Sequence, residues 1–397
     1  MPERRGLPRG DKEGPAELYR SQEAPTRLLL KPDEVTWMTK ADTPDRRVDV
    51  FLLLGCGVRG LPHIMVDSVR VLEALGVSFV AGAGQQYCCG NPYRPDRLDA
   101  ADRLTAASMD RMTAWGVREI AHWCTACELT FGAWSRDSTE VWSGGQTMPM
   151  EPRGAPQDHI KNVHIHDLIE RRLRELGDRV PWKNVQKRRV LVEGHPELTE
   201  VHDVAMTTGA RMLSLVPGVE VLGYVEAPRR FKRGAKGNCN SLLQDMSVHD
   251  VQRVRAEIAA QAKARGADTI SCQHHNCHRT WSRIASPAVR VQQCVSIVAE
   301  ALGVVSEDRF QQFANIGDLD AIMSASEPIW RSWDMTAGEA REIVTENFDP
   351  KFSVRPTCAC GGDLSKCGEA EVMQISDLVR GADYSLVGPS TAGILRP

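Results

Sequence analysis

The chain has 397 residues, of which 42% are hydrophobic and 6% aromatic, and it carries a formal net charge of −3. This composition is that of a globular protein, and the near-neutral charge excludes a protein organised around nucleic-acid phosphates. Apolar runs such as residues 50–54 are far too short to span a membrane, and the N-terminus lacks the apolar core of a signal peptide. We therefore expect a cytoplasmic protein whose length accommodates two α/β units.

The first part of the chain predicts an extension followed by a parallel sheet. Residues 1–46 contain many prolines and charges with little periodicity, so we expect an extended or disordered segment there. Beyond it, strands are predicted at 48–54, 77–81 and 117–123, and helices at 61–75 and 98–115. This βαβαβ order predicts a parallel sheet.

The same plan recurs from about residue 188, which indicates an internal duplication. Its strands are predicted at 189–193, 219–225 and 267–271, and its helices at 201–215 and 248–264. Further helical patterns cover 164–176, 289–302, 319–324 and 337–347. The predicted fold class is α/β with two tandem units, at 47–187 and 188–305, and a C-terminal extension at 306–397.

Five of the twelve cysteines follow the strands of the first unit: Cys56 after the first strand, Cys88 and Cys89 after the second, and Cys124 and Cys127 after the third. The carboxyl ends of parallel strands share one edge of a sheet, so we expect these thiols to converge. A reducing cytoplasm does not maintain a structural disulfide framework, which leaves metal or redox chemistry. Cys294, in a helical pattern, is expected to be a buried thiol that packs as a small hydrophobe.

Thiolate is a soft ligand that selects iron–sulfur clusters, zinc or copper(I). The vicinal pair Cys88-Cys89 suits a tetrahedral zinc site less well than a polynuclear cluster, in which neighbouring sulfurs bind different irons. The five cysteines of the first unit therefore favour one iron–sulfur cluster. Structural zinc and a metal-free dithiol site remain the alternatives.

Three short motifs carry a family resemblance: GCG at 55–57, YCCGNP at 87–92 and HWCTAC at 122–127. Together they resemble the CCG-domain motif, in which one cysteine, a Cys-Cys pair and a CxxC follow one another at long spacings. The B-type subunit of heterodisulfide reductase is the best-known member of that family. The resemblance implies two copies of a small α/β domain and a noncubane 4Fe-4S cluster, held by the five cysteines, at which disulfides are cleaved or formed.

The second unit departs from this motif at each position. The first cysteine is replaced in the segment Gly194-His195-Pro196-Glu197, the Cys-Cys-Gly segment reads Asn238-Cys239-Asn240, and the CxxC reads as the wider Cys272–Cys277. Candidate residues for a second site are Cys239, Cys272, Cys277, His274, His275 and His278. Imidazole suits iron and zinc and transfers protons near neutral pH. Four interpretations of this second site remain open: a cluster with fewer thiolates, a different metal, a dithiol site, or a vestige kept for its fold.

A third group of cysteines lies near the C-terminus: Cys358, Cys360 and Cys367, in a glycine-rich loop. Glycines allow a backbone to turn sharply around a metal. Three thiolates leave a structural zinc one ligand short, so a fourth ligand would come from elsewhere. The alternatives for these three cysteines are a zinc site, a further iron–sulfur site, a redox pair and unligated thiols.

The resemblance implies a component of a heterodisulfide reductase-like complex that acts on disulfide or sulfane sulfur, and the altered second unit favours the kind that takes part in sulfur oxidation. The expected partners are iron–sulfur and flavin subunits, together with a sulfur-carrier protein or a small disulfide. Two other functions remain open. One is a CCG-domain component of a 2-hydroxy-acid or glycerol-phosphate dehydrogenase system, and the other is a non-catalytic scaffold stabilised by zinc.

Overall fold

Two four-stranded parallel sheets organise the protein. The computed structural model describes residues 23–35, 37, 47–55, 57–91, 98–135, 140–143, 146–149, 160–193, 200–225, 248–284 and 289–349. Within these ranges, the side chains of residues 85, 140–143, 146–148, 200–206 and 248–253 are not described. Among the described helices, none is both long and apolar enough to cross a membrane.

The first sheet has the strand order β2-β1-β3-β6. Its strands are β1 (Val50–Leu53), β2 (Phe79–Gly82), β3 (Glu119–His122) and β6 (Lys161–His164), and a small hairpin of β4 (Glu140–Ser143) and β5 (Gln146–Pro149) precedes β6. The helices up to this point are α1 (Thr26–Leu29), α2 (Pro62–Ala74), α3 (Leu98–Thr113), α4 (Thr125–Trp134) and α5 (Ile165–Leu176). Strand β1 is buried along its whole length because strands pair with it on both sides, which accounts for its unbroken apolar sequence.

The second sheet repeats the first, with the order β10-β9-β7-β8. Its strands are β7 (Arg188–Glu193), β8 (Val219–Val225), β9 (Thr269–Cys272) and β10 (Arg290–Gln293). The accompanying helices are α6 (Glu200–Ser214), α7 (Val248–Ala264), α8 (His275–Trp281) and α9 (Cys294–Ala301). Read from the other edge, this order matches the first sheet strand for strand, so the α/β fold class and the duplication predicted from sequence are confirmed.

The fourth strand of each sheet differs from the sequence prediction. The helical pattern at 289–302 contains strand β10 followed by helix α9, and strand β6 precedes the helix predicted at 164–176. Both strands lie at a sheet edge, and each contains a single valine among polar residues such as Asn162 and Gln292. They therefore lack the continuous apolar run that marks a buried strand. Helix α4, which begins directly after Cys124, was also not predicted.

The two halves pack through helices that occupy equivalent places. Helix α2 packs against α9, and α5 packs against α6, so exchanging the halves maps one contact onto the other. In the first contact the Asp67 carboxylate accepts a hydrogen bond from Ser296 Oγ. In the second, Glu170 accepts two hydrogen bonds from the Arg211 guanidinium, at 3.0 and 2.9 Å. Apolar side chains from both halves form one continuous core around these helices.

Residues 26–30 differ from the extended or disordered segment expected for 1–46. Leu28, Leu29 and Leu30 are buried in the shared core, against helices from the C-terminal part of the chain. Those helices are α10 (Arg309–Ile316), α11 (Leu319–Trp330) and α12 (Ala337–Phe348). The Trp333 indole donates a 2.7 Å hydrogen bond to the Leu30 carbonyl, so the N-terminal segment and the C-terminal helices form one layer.

Candidate metal centre

The described cysteines of the first half meet at the carboxyl edge of the first sheet. Cys88 and Cys89 follow β2 through a single turn of 3₁₀ helix, and Cys124 is the residue immediately before helix α4. Cys127 lies in the first turn of α4, so the helix turns its sulfur back towards Cys124. Cys56 lies outside the described residues, between Gly55 and Gly57 at the end of the central strand β1.

Helix α3 holds the vicinal cysteine pair in place. Thr105 Oγ1 donates a 2.8 Å hydrogen bond to the Cys89 carbonyl, and Ser108 Oγ donates one of 2.9 Å to the Cys88 carbonyl. Both hydroxyls are buried and lie one helical turn apart, so they reach two successive carbonyls of the loop. The Gly90 N–H lies 3.2 Å from Cys88 Sγ and donates to it. These contacts fix the backbone of the loop independently of any bound metal.

The sulfurs from the two loops are in contact. Cys127 Sγ lies 3.5 Å from Cys89 Sγ. A hydrogen bond from Cys127 holds the pKa of Cys124 well below its usual range, and the neighbouring His274 imidazole acts in the same direction against the effect of burial. The same proton, shared with Cys124, raises the pKa of Cys127, and contact with Cys89 and burial raise it further. Sulfurs from both loops thus lie close enough to interact, as the ligands of one thiolate-bound metal or iron–sulfur cluster would.

His274 belongs to the second half, and its position identifies an equivalence that the sequence spacing conceals. Cys124 is the N-cap of α4, and His274 is the N-cap of α8. Cys127 and Cys277 are both the third residue of their helices. The structural counterpart of the first-half CxxC is thus the segment from His274 to Cys277, which reads His-x-x-Cys. Cys272 ends strand β9, the position that His122 occupies in β3.

The second half also places His275 against the first-half site. A Cβ atom added at Gly57 would lie 2.6 Å from His275 Nε2, so only glycine fits beside the imidazole at this point of the GCG motif. Burial lowers the pKa of His275 to about 3, and the charge of Arg279 contributes in the same direction. His275 is therefore a neutral imidazole that packs beside the loop that contains Cys56.

The cysteines of the second half that the structure describes are all fully buried. Cys272 and Cys277 are fully buried in a cluster that includes Ile258, Ile270 and Trp281. Cys294 is also fully buried, as expected from its helical pattern, and its Sγ lies 2.9 Å from His166 Nε2. Burial raises the pKa of the Cys294 thiol.

Several residues predicted from sequence lie outside the described part of the chain. They are Cys56, Glu197, Cys239, Cys358, Cys360 and Cys367. His278 is a candidate site residue on sequence grounds, whereas its neighbours His63 and Asp308 were not predicted. An isolated histidine in an apolar helix and an aspartate before a helix give no pattern that joins them.

Comparison with known proteins finds a family match over the part of the chain that contains the first cysteine set. Residues 51–132 match the model of the CCG family, described as a cysteine-rich domain, so this part of the chain is a cysteine-rich CCG domain. It contains all five cysteines of the first site. The chain thus contains a CCG domain, and over most of its length it is similar to subunits of heterodisulfide reductases.

Three relatives are the D-type subunits of dihydromethanophenazine:CoB--CoM heterodisulfide reductases. The protein of Methanosarcina acetivorans is 23% identical over 293 residues, which cover 70% of this chain and 65% of the relative. Those of Methanosarcina barkeri and Methanosarcina mazei are 24% and 23% identical, each covering 68% of this chain and 63% of the relative. The chain thus spans just under two thirds of the length of these relatives.

Proposed function

We propose that Cys56, Cys88, Cys89, Cys124 and Cys127 hold one 4Fe-4S cluster, of the noncubane kind, in an oxidoreductase subunit that transfers electrons to or from sulfur. The observation that carries the proposal is the convergence of four cysteines from two loops on one sheet edge, with Cys89 Sγ and Cys127 Sγ 3.5 Å apart. Structural zinc usually takes its four ligands from two knuckles of the CxxC kind, whereas the contiguous Cys88-Cys89 pair suits a group with several metal atoms. The match to the CCG family supports the same conclusion.

The chain's own residues would tune such a group. A bound cluster supplies single electrons, which allows two-electron sulfur chemistry to proceed in one-electron steps. The His274 imidazole lies beside Cys124 and acts to lower its pKa, and an imidazole beside a ligand sulfur would stabilise the added negative charge of the reduced state. Burial of Cys88, Cys89 and Cys127 keeps solvent away from the sulfurs. The unit at 47–187 would thus hold the cluster, while the unit at 188–305 supplies imidazoles to its edge.

The test is anaerobic purification with iron, sulfide and zinc counts and EPR spectroscopy. Cys124→Ser is expected to lose most of the iron and the EPR signal. Cys294→Ser serves as the matched control, because Cys294 is a buried cysteine in contact with His166 and is expected to retain the iron. Iron loss from both variants alike, or zinc without iron in the unmodified protein, would contradict the proposal.

The substrate is proposed to be a disulfide or sulfane sulfur, presented by a small molecule or a sulfur-carrier protein, in cytoplasmic sulfur oxidation. The names of the three relatives, which act on a CoB--CoM heterodisulfide, support sulfur chemistry as the class of reaction. Iron–sulfur and flavin subunits would exchange electrons with the chain. Viologen-linked reduction of an aliphatic heterodisulfide, measured with the chain alone and with its copurifying subunits, tests this assignment, and activity on neither disulfide nor sulfane sulfur would count against it.

Further binding sites are proposed for the other cysteines. Cys239, Cys272 and Cys277, with His274 and His275, are candidates for a second iron–sulfur or other metal site. Cys358, Cys360 and Cys367 are candidates for zinc. Iron and zinc counts on Cys272→Ser and on Cys360→Ser separate these sites, because each variant is expected to lose one kind of metal and to keep the other.

A further inference from the structure

Three side chains with metal-binding atoms meet where three parts of the chain come together. His63 lies in the first turn of α2 in the first half, His278 lies in α8 of the second half, and Asp308 is the N-cap of α10. His278 Nε2 is 2.6 Å from Asp308 Oδ2, and His63 Nδ1 is 3.3 Å from Asp308 Oδ1. One ligand atom from each residue lies within 4.8 Å of the others. The spacing fits three ligands around one centre.

The hydrogen bonds of the described residues leave this cluster incompletely satisfied. His63 and His278 are 3% and 0% exposed. The 3.3 Å contact between His63 and Asp308 does not have the geometry of a hydrogen bond, so neither ring nitrogen of His63 has a hydrogen-bond partner among the described residues. The Nδ1 atom of His278 likewise has none there. A buried polar atom without a partner costs roughly 1–3 kcal/mol. A bound cation would remove that cost for at least one nitrogen of His63. Two nitrogens and a carboxylate oxygen are also a ligand set that zinc and iron(II) sites use, with the remaining coordination positions open.

The surroundings hold the three ligands in place. The Gln311 N–H donates a 3.0 Å hydrogen bond to Asp308 Oδ1, which leaves Oδ2 on the side of His278. Ser306 Oγ donates a 3.1 Å hydrogen bond to the His63 carbonyl and so joins the segment before Asp308 to the first turn of α2. The Asp308 side chain is 22% exposed, which gives an ion a route from solvent. Arg279, the next residue along α8, directs its guanidinium to Asn347 Oδ1 at 2.8 Å.

We propose that His63, His278 and Asp308 bind a single divalent transition-metal ion, either Zn²⁺ or Fe²⁺. The inference is independent of the iron–sulfur proposal, because it uses none of the cysteines. The bound ion would link helix α8, which carries His275 and follows His274, to the first half and to the C-terminal helices. Since the three ligands come from three segments, metal binding would stabilise their assembly by mass action.

The experiment titrates the anaerobically purified, cluster-loaded protein with Zn²⁺ and, separately, with Fe²⁺, by calorimetry and by thermal unfolding. The unmodified protein is expected to bind one equivalent more than the Asp308→Asn variant and to unfold at a higher temperature with the ion. Asp308→Asn is expected to weaken binding by more than about 100-fold, since even outer-shell partners change metal affinity 10–100-fold. Asparagine remains a good N-cap, so this variant should keep helix α10 folded.

Asp318→Asn is the matched control, because Asp318 caps α11 through a 2.7 Å hydrogen bond from the Ala321 N–H in the same way. It is expected to bind the ion like the unmodified protein. His63→Gln provides a second variant from the opposite side of the site. The tighter of the two ions identifies the metal. Equal stoichiometry and affinity in the unmodified protein and Asp308→Asn would overturn the proposal and leave a hydrogen-bonded His–Asp–His cluster.

Discussion

Replacing Gly90 by alanine tests how the Cys-Cys-Gly loop is built. Gly90 has a φ of +69°, and a Cβ atom added there would lie 2.4 Å from the Ala101 carbonyl oxygen and 2.8 Å from the Ala101 Cα. Those atoms belong to the backbone of α3 and cannot move aside as a flexible side chain would. The left-handed backbone costs an alanine about 1–2 kcal/mol, and forced repacking adds about 1–3 kcal/mol. We therefore expect Gly90→Ala to lower the free energy of unfolding by about 2–5 kcal/mol.

Gly317→Ala is the matched control for this prediction. Gly317 has a φ of +73° but no atom within 4 Å of an added Cβ, so it isolates the cost of the backbone conformation, about 1–2 kcal/mol. Urea unfolding measures both variants, and iron content measures the effect on the loop, because Gly90 N–H donates to Cys88 Sγ. Gly90→Ala is expected to lose iron, and Gly317→Ala to keep it. Equal destabilisation and equal iron content in the two variants would refute the close approach of the loop to α3.

Three further changes test other contacts. His274→Ala removes the imidazole beside Cys124 and should make the cluster's midpoint potential more negative in an EPR-monitored titration, whereas an unchanged potential would contradict an influence of His274 on the cluster. Burial acts to raise the pKa of Glu170, but hydrogen bonds from Arg211 and Arg174 outweigh burial and lower that pKa. The ionised carboxylate therefore stabilises the folded protein above the unfolded pKa near 4.5, and this stabilisation is lost as the pH falls through the folded pKa. Glu170→Gln should thus lower the free energy of unfolding by about 1–2 kcal/mol at about pH 7, a value that allows for the solvent exposure of the two arginines. At about pH 3 the loss should be much smaller, and an equal loss at both pH values would argue against the ion pair. Glu34→Gln weakens the paired contact with Arg309 at 2.7 and 3.0 Å and should cost about 1 kcal/mol in urea unfolding, while the exposed neighbour variant Asp33→Asn should be nearly neutral.

Local sequence patterns were sufficient for the central strands. Residues 50–53 and 190–192 are apolar without interruption because strands pair on both of their sides, and a pattern of this kind is visible without any tertiary information. The strands β6 and β10 left no such pattern, because each contains a single valine among polar residues. Residues 26–30 were also beyond local reasoning, because the helices that bury them lie near the other end of the described chain.

The sequence by itself determined the class of chemistry. A vicinal cysteine pair and a CxxC, each placed after an apolar strand, have to meet at one edge once the strands are parallel, and thiolates at that edge select a metal or cluster. These features depend only on spacing and on the direction of neighbouring strands.

Only the tertiary structure decided which second-half residues face that site. The spacing from Cys272 to Cys277 suggested a widened CxxC, whereas the end of β9 and the start of α8 make His274 the counterpart of Cys124. The meeting of His63, His278 and Asp308 is likewise a product of packing between three segments. The physical reason is the same in both cases. The start of a helix and the contacts between the halves depend on how whole elements pack, and the spacing of residues along the sequence does not determine that packing.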